Sequence, residues 1–105
     1  MARTPEGKVK DAVTKRLKAH GVYYFFPATF GMGRSGVPDI VCCVNGQFLA
    51  IECKAGKGVP TLLQEREMRA INAAGGHTMV INEANVESVS AWLKQHGAMV
   101  GNYPN

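Results

Sequence analysis

Asn45-Gly46 sits between two apolar runs, Asp39-Ile40-Val41-Cys42-Cys43-Val44 and Gln47-Phe48-Leu49-Ala50-Ile51-Glu52-Cys53-Lys54, and this arrangement restricts the fold more than any other feature of the 105 residues. The favoured two-residue hairpin turn needs positive φ at both central positions, which asparagine tolerates and glycine adopts freely. Such a turn makes Val44 face Gln47. Stepping outward then pairs Cys43 with Phe48, Cys42 with Leu49, Val41 with Ala50, Ile40 with Ile51 and Asp39 with Glu52. Opposed residues share a sheet face with Cβ atoms about 5 Å apart, and Lys54, two places beyond Glu52, projects from the same face. A one-residue change in the turn would move Asp39 to the other face.

Two acids opposed on a strand pair repel each other, more so beside a buried core, and call for a neutralising cation. Mg²⁺ is commonly held by one or two carboxylates while it keeps several waters and takes phosphate oxygens as further ligands. A site of that kind suits phosphodiester hydrolysis, in which the metal polarises the phosphorus centre and lowers the pKa of a bound water. Lys54 is then placed to orient or deprotonate that water, or to stabilise the charge of the transition state. The plainer alternative is that Asp39 caps a strand entrance after Pro38 while Glu52 and Lys54 form an ordinary exposed ion pair.

The flanking sequence supplies the remaining elements. Thr4-Pro5 is a helix start, and Val9, Val13 and Leu17 recur every fourth residue to a stop at His20-Gly21, so a helix is expected over 5–20. Val22-Tyr23-Tyr24-Phe25-Phe26 predicts a strand ending at Pro27. Thr61 caps a helix over 62–74, closed by Gly75-Gly76; a strand follows over 77–81, and a helix over 85–96 carries Val86, Val89 and Leu93 on one face. His20 and His96 each precede a glycine at a helix end, where imidazole suits the macrodipole, and read as end caps. The two hairpin runs are apolar on nearly every residue, so helices are expected to cover both sheet faces. The order αβββαβα defines an α/β class, a mixed central sheet flanked by helices, and the length suits a single domain over 1–105.

Residues 28–38 hold Gly31-Met32-Gly33-Arg34-Ser35-Gly36, the letters of a dinucleotide-binding fingerprint. The context is wrong, because that fingerprint opens a helix whereas Val37-Pro38-Asp39 leads into a strand. The segment reads as a flexible loop able to approach a ligand. Lys and Arg number 12 against 8 Asp and Glu, a net charge of +4 that suits a polyanionic partner. Lys8, Lys10, Lys15, Arg16 and Lys18 cluster in one stretch, and Lys8, Arg34 and Lys57 are candidate DNA contacts. The three cysteines, Cys42, Cys43 and Cys53, lie inside strand runs and read as small core hydrophobes of a reducing compartment. No run approaches the roughly 18 apolar residues of a membrane span, so a soluble intracellular protein is expected.

Gly36-Val37-Pro38-Asp39, then Ile51-Glu52-Cys53-Lys54, then Gln64 on a helix, with Glu6 on the first helix, resembles the VRR-NUC family of PD-(D/E)xK nucleases over about residues 4–76. The resemblance implies a restriction-endonuclease-like fold and Mg²⁺ or Mn²⁺ dependence. It implies metal ligation by Asp39, Glu52 and the backbone carbonyl of Cys53, with Lys54 as catalytic lysine and Glu6 and Gln64 completing the site, Glu6 as a further metal ligand. Gln64 also fits a capping box with Thr61, and Glu6 would be favoured in a first helical turn by the dipole alone. Small stand-alone members look phage-like. The resemblance thus implies a homodimer acting on branched DNA such as flaps or four-way junctions, in the cytoplasm of a bacterial host if phage-encoded. Phe26, Phe30 and Met32 are candidates for the dimer face, with core packing the competing fate of Phe26. Two other functions compete: a non-catalytic nucleic-acid-binding module, to which two acids facing a phosphate would be a hindrance, and a small-molecule enzyme using the glycine loop.

Overall fold

The turn forms as its sequence dictates, with Asn45 at φ 48° and Gly46 at φ 81°. The computed structural model of the chain describes residues 3–28 and 31–101. Its elements run α1 (Pro5–Ala19), β1 (Tyr23–Phe25), β2 (Ile40–Val44), β3 (Gln47–Cys53), α2 (Leu62–Ala73), β4 (His77–Ile81) and α3 (Glu87–Gln95). The strands form one sheet in the order β1-β2-β3-β4, antiparallel except for the parallel β3–β4 pair. The β2–β3 register is the expected one, from Val44 opposite Gln47 to Ile40 opposite Ile51.

Local chemistry sets the helix ends. The Thr4 side chain accepts from the Gly7 amide at 3.0 Å, and Thr61 and Gln64 close a reciprocal capping box. The third helix starts two residues later than its sequence suggests and has no side-chain cap. Asn82 and Asn85 bond the local backbone instead, the Asn82 amide donating to Asn85 Oδ1 at 2.7 Å and the Ala84 amide to Asn82 Oδ1 at 2.8 Å. Asparagine offers the chain these turn bonds in competition with a helical turn.

One hydrophobic cluster joins Val9, Val13 and Leu17 of α1, Val89 and Leu93 of α3, and the strand residues Ile40, Cys42, Val44, Leu49 and Ile51. These strand residues alternate and pair across the register, so they form one sheet face, covered by α1 and α3. His20 belongs to this buried layer. It is the C-cap of α1, its backbone amide donating to the Arg16 carbonyl at 3.1 Å; the residue is 1% exposed and its Nδ1 bonds the Ala98 carbonyl, so it also ties the segment after α3 to the end of α1. His96 is likewise an end cap: its Nδ1 lies 2.8 Å from the Trp92 carbonyl and its ring stacks on Trp92.

The opposite face departs from expectation. Helix α2 packs on β4, where Asn72 and Thr78 exchange hydrogen bonds at 3.1 and 3.2 Å, and leaves β1 and β2 largely uncovered. Tyr23 is 70%, Phe25 47% and Phe48 46% exposed, and Cys43 is exposed while Cys42 and Cys53 are buried. The continuous apolar run over β2 therefore reflects core on one side and a bare apolar surface on the other.

Gly36 fixes how the loop before β2 meets α2. It adopts φ +76°, and a Cβ there would lie 2.6 Å from the Leu63 carbonyl carbon and 2.9 Å from the Gln64 amide nitrogen. Gly36→Ala is expected to cost more than about 1 kcal/mol, since both conformation and space are denied to a side chain. Urea unfolding measures this, and an unchanged midpoint would contradict the close approach.

Candidate active site

The ladder between β2 and β3 stops at Ile40 and Ile51, so Asp39 stands one residue beyond the last pair, level with Glu52. There it is anchored by its own side chain, the Cys53 amide donating to Asp39 Oδ2 at 2.8 Å. Pro38 precedes it, has no amide to satisfy and is buried. The hairpin and the loop that Gly36 permits thus deliver Asp39 to the end of β3 from the neighbouring strand.

Glu52 is 1% exposed, enclosed near the end of the inner strand β3. Lys54 Nζ lies 3.2 Å from Glu52 Oε2, and that ammonium is itself mostly buried. Glu52 Oε1 has no hydrogen-bond partner although it is shut away from solvent. Burial, then the charge of Asp39, pushes the Glu52 carboxyl above its ordinary range; Lys54 pulls against them, and Glu6 adds a smaller push upward. Removing a carboxylate from water without fully pairing it is costly, and folds tolerate it mainly where function requires it.

Glu6 is exposed in the first turn of α1, whose N-terminal end reaches this part of the sheet closely enough for its charge to act on Glu52 and Cys53. Gln64 is occupied by the capping box: its Oε1 accepts from the Thr61 amide at 2.9 Å, and its own amide donates to Thr61 Oγ1 at 3.2 Å. Among the candidate DNA contacts, Lys8 and Lys57 are exposed. Arg34 is committed elsewhere, since its Nε and a terminal nitrogen bond the two oxygens of Glu67 at 2.7 and 2.8 Å. Glu67 is 4% exposed on α2, and the guanidinium fork neutralises it while tying the glycine loop to that helix. No spacing rule announces a pair 33 residues apart.

Two carboxylates, one with an unbonded buried oxygen, form a hard oxygen donor set of the kind Mg²⁺ or Mn²⁺ takes. The Cys53 backbone carbonyl lies beside them in sequence. Among the described residues no group of three or more His, Cys, Asp or Glu side chains converges on a metal position. A cation here would complete its shell with that carbonyl, water and substrate oxygens.

No protein-family model matches the chain. A relative from Acyrthosiphon pisum secondary endosymbiont phage 1, named "Putative nuclease p44", is 35% identical over 81 residues, covering 76% of this chain and 84% of its own. A solved structure described as a VRR_NUC domain superposes with a TM-score of 0.71 at 22% identity, covering 90% of this chain and 99% of its own. A second, described as a VRR_NUC domain protein, gives 0.66 at 16% identity, with 98% and 95% covered. The fold is therefore the mixed α/β fold of VRR-NUC domains. The chain belongs to the VRR-NUC family.

The raised Glu52 value carries a pH consequence. A carboxyl whose folded value lies above its unfolded one contributes stability below the unfolded value and loses it as pH rises through the folded value. In chelator, stability is therefore expected to fall as pH climbs from the ordinary glutamate range through the raised one. Glu52→Gln should flatten that slope. Urea midpoints between pH 4 and 8 test this, and parallel curves for the two proteins would remove the assignment.

Proposed function

We propose that this chain is a metal-dependent endonuclease that hydrolyses phosphodiester bonds in DNA, with Asp39, Glu52 and Lys54 as its working groups. The observation that carries this reading is the enclosed Glu52 carboxylate, with one oxygen on Lys54 and the other unbonded. A protein that only held DNA would gain nothing from that arrangement and would be repelled by it.

Asp39 and Glu52, with the Cys53 carbonyl, would hold Mg²⁺ or Mn²⁺. When bound, the cation supplies charge neutralisation at the phosphoryl oxygens and a more acidic water. In hydrolysis the water oxygen bonds to phosphorus while the phosphorus–oxygen ester bond breaks, and the electron pair departs on the sugar oxygen. Lys54, held as the ion-pair partner of Glu52, is a hydrogen-bond donor whose ammonium is fixed before substrate arrives. It is therefore suited to orienting the attacking water and stabilising negative charge on the phosphoryl oxygens. Asp39 keeps its geometry through the Cys53 amide, so its free oxygen needs little reorganisation. Glu6 would add negative charge at the rim of the same site.

Asp39→Ala and Lys54→Ala are each expected to reduce cleavage about 100-fold or more, and chelation to abolish it. Duplex, flap and four-way substrates incubated with Mg²⁺, Mn²⁺ or chelator provide the assay. Full activity in the variants would sink the site, and cutting in chelator would sink the metal.

The proposal extends to a homodimer acting on branched DNA in the cytoplasm of a bacterial host. No helix among the described residues is long and apolar enough to cross a membrane. A two-fold dimer presents two equivalent sites, as symmetric cleavage of a four-way junction needs. Of the three residues that the sequence offers for its face, Phe30 lies outside the described residues. Met32 is 78% exposed in the glycine loop, and Phe26, 46% exposed, stays out of the core with Lys10 Nζ 4.2 Å above its ring. The bare sheet face offers a better surface. Tyr23, Phe25 and Phe48 at these exposures present on the order of 300 Å² of aromatic surface. A patch of that size matches the largest one on a typical monomer, which is often functional. Phe25 and Phe48 border a hollow of about 450 Å³ whose one described cation, Arg34, is spent on Glu67, so the patch suits protein and not phosphate.

Tyr23→Asp is expected to convert a dimer into a monomer without loss of folding. Light scattering at micromolar concentration reads the mass, and a monomeric wild type would end the dimer proposal.

A further inference from the structure

The exit of β4 grips the chain leaving β3 at Lys54 and again at Gly56. The Lys54 amide donates to the Ile81 carbonyl at 2.9 Å, the last bond of the parallel ladder. Two residues along, the Gly56 amide donates to both oxygens of Glu83, at 2.9 and 3.2 Å. The chain between them turns tightly: Gly56 adopts φ +56° and the Gly58 amide donates to the Ala55 carbonyl at 3.0 Å. Glu83 is exposed, yet its carboxyl is held below the usual range, first by its own backbone amide and then by that of Gly56. The loop that carries it is braced in turn, with Asn85 Nδ2 donating to the Val80 carbonyl at 3.0 Å.

We propose that Glu83 is a positioning residue for Lys54: by clamping the Gly56 amide it fixes the strand exit from which the lysine reaches 3.2 Å to Glu52. This rests on the nuclease reading. Lysine has four rotatable side-chain bonds, so its ammonium is aimed only if its backbone is fixed and its path enclosed. The Ile81 bond alone leaves the residues after Lys54 free to swing. A charge-assisted bond from a carboxylate to the Gly56 amide removes that freedom.

Simple electrostatics predicts the opposite effect of removing Glu83, because taking an acid away from a DNA-binding surface should strengthen binding. Glu83→Ala and Glu83→Gln both remove the charge, but only Gln keeps an acceptor for Gly56. In Glu83→Ala, kcat is expected to fall about tenfold with KM unchanged or lower. In Glu83→Gln, kcat should stay near wild type.

Amide exchange at Gly56, followed by NMR, tests the clamp without reference to activity. The amide should be protected in wild type and Glu83→Gln and fast in Glu83→Ala. Equal exchange in all three, or equal kcat for the Ala and Gln variants, overturns the proposal. The expected exchange pattern in a wild type that cuts no DNA would leave the clamp standing and remove the nuclease reading.

Discussion

The Asn45–Gly46 turn is the constraint on which the site depends. It holds Val44 against Gln47, and every later pairing between β2 and β3 is counted from that point. Because side chains alternate across a strand with a period of two, the turn decides that Asp39 and Glu52 share a face. The mutual repulsion of those acids cannot relax by slippage, since a slip would also expose Ile40, Cys42 and Val44, which fill the core. The hydrophobic layer on one side of the sheet thus holds an unfavourable charge arrangement in place on the other.

Different parts of the molecule answer that arrangement. Lys54 neutralises one oxygen of Glu52 from just past the end of the same strand, and the Cys53 amide donates to one oxygen of Asp39. Both use short-range geometry, so the local site is nearly rigid. The longer-range supports are of another kind: Gly36 lets the β2 approach loop touch the start of α2, and the Arg34–Glu67 pair ties the same loop to the same helix. Asp39 is consequently positioned by helix α2 although it makes no strand pairing of its own.

Much of this is legible in the amino-acid sequence. Caps at Thr4 and Thr61, the hairpin register and the strand after α2 follow from rules acting over a few residues. The misreadings and omissions share a cause. Burial at Cys43 and Phe48 depends on how far α2 extends across the sheet, which no local pattern encodes. His20 caps α1 as its sequence suggests, but the residues around it cannot reveal its second bond, to the Ala98 carbonyl 78 positions later. Glu67 carries no local signal at all, with nothing nearby to announce that Arg34 reaches it from the glycine loop. Glu83 carries a signal of its own, since a strand parallel to β3 must deliver its exit loop beside Lys54.

The dual use of Gln64 affects how its role can be learned. Its side chain closes the start of α2, and its amide lies where Gly36 makes its closest approach. Truncating it would loosen the helix start and the path to Asp39 together, so a drop in activity would not distinguish a lost substrate contact from a lost cap. Glutamate at this position preserves the acceptor that the capping box requires while changing charge and donor capacity. The residue is readable only through a replacement that keeps its architectural half intact.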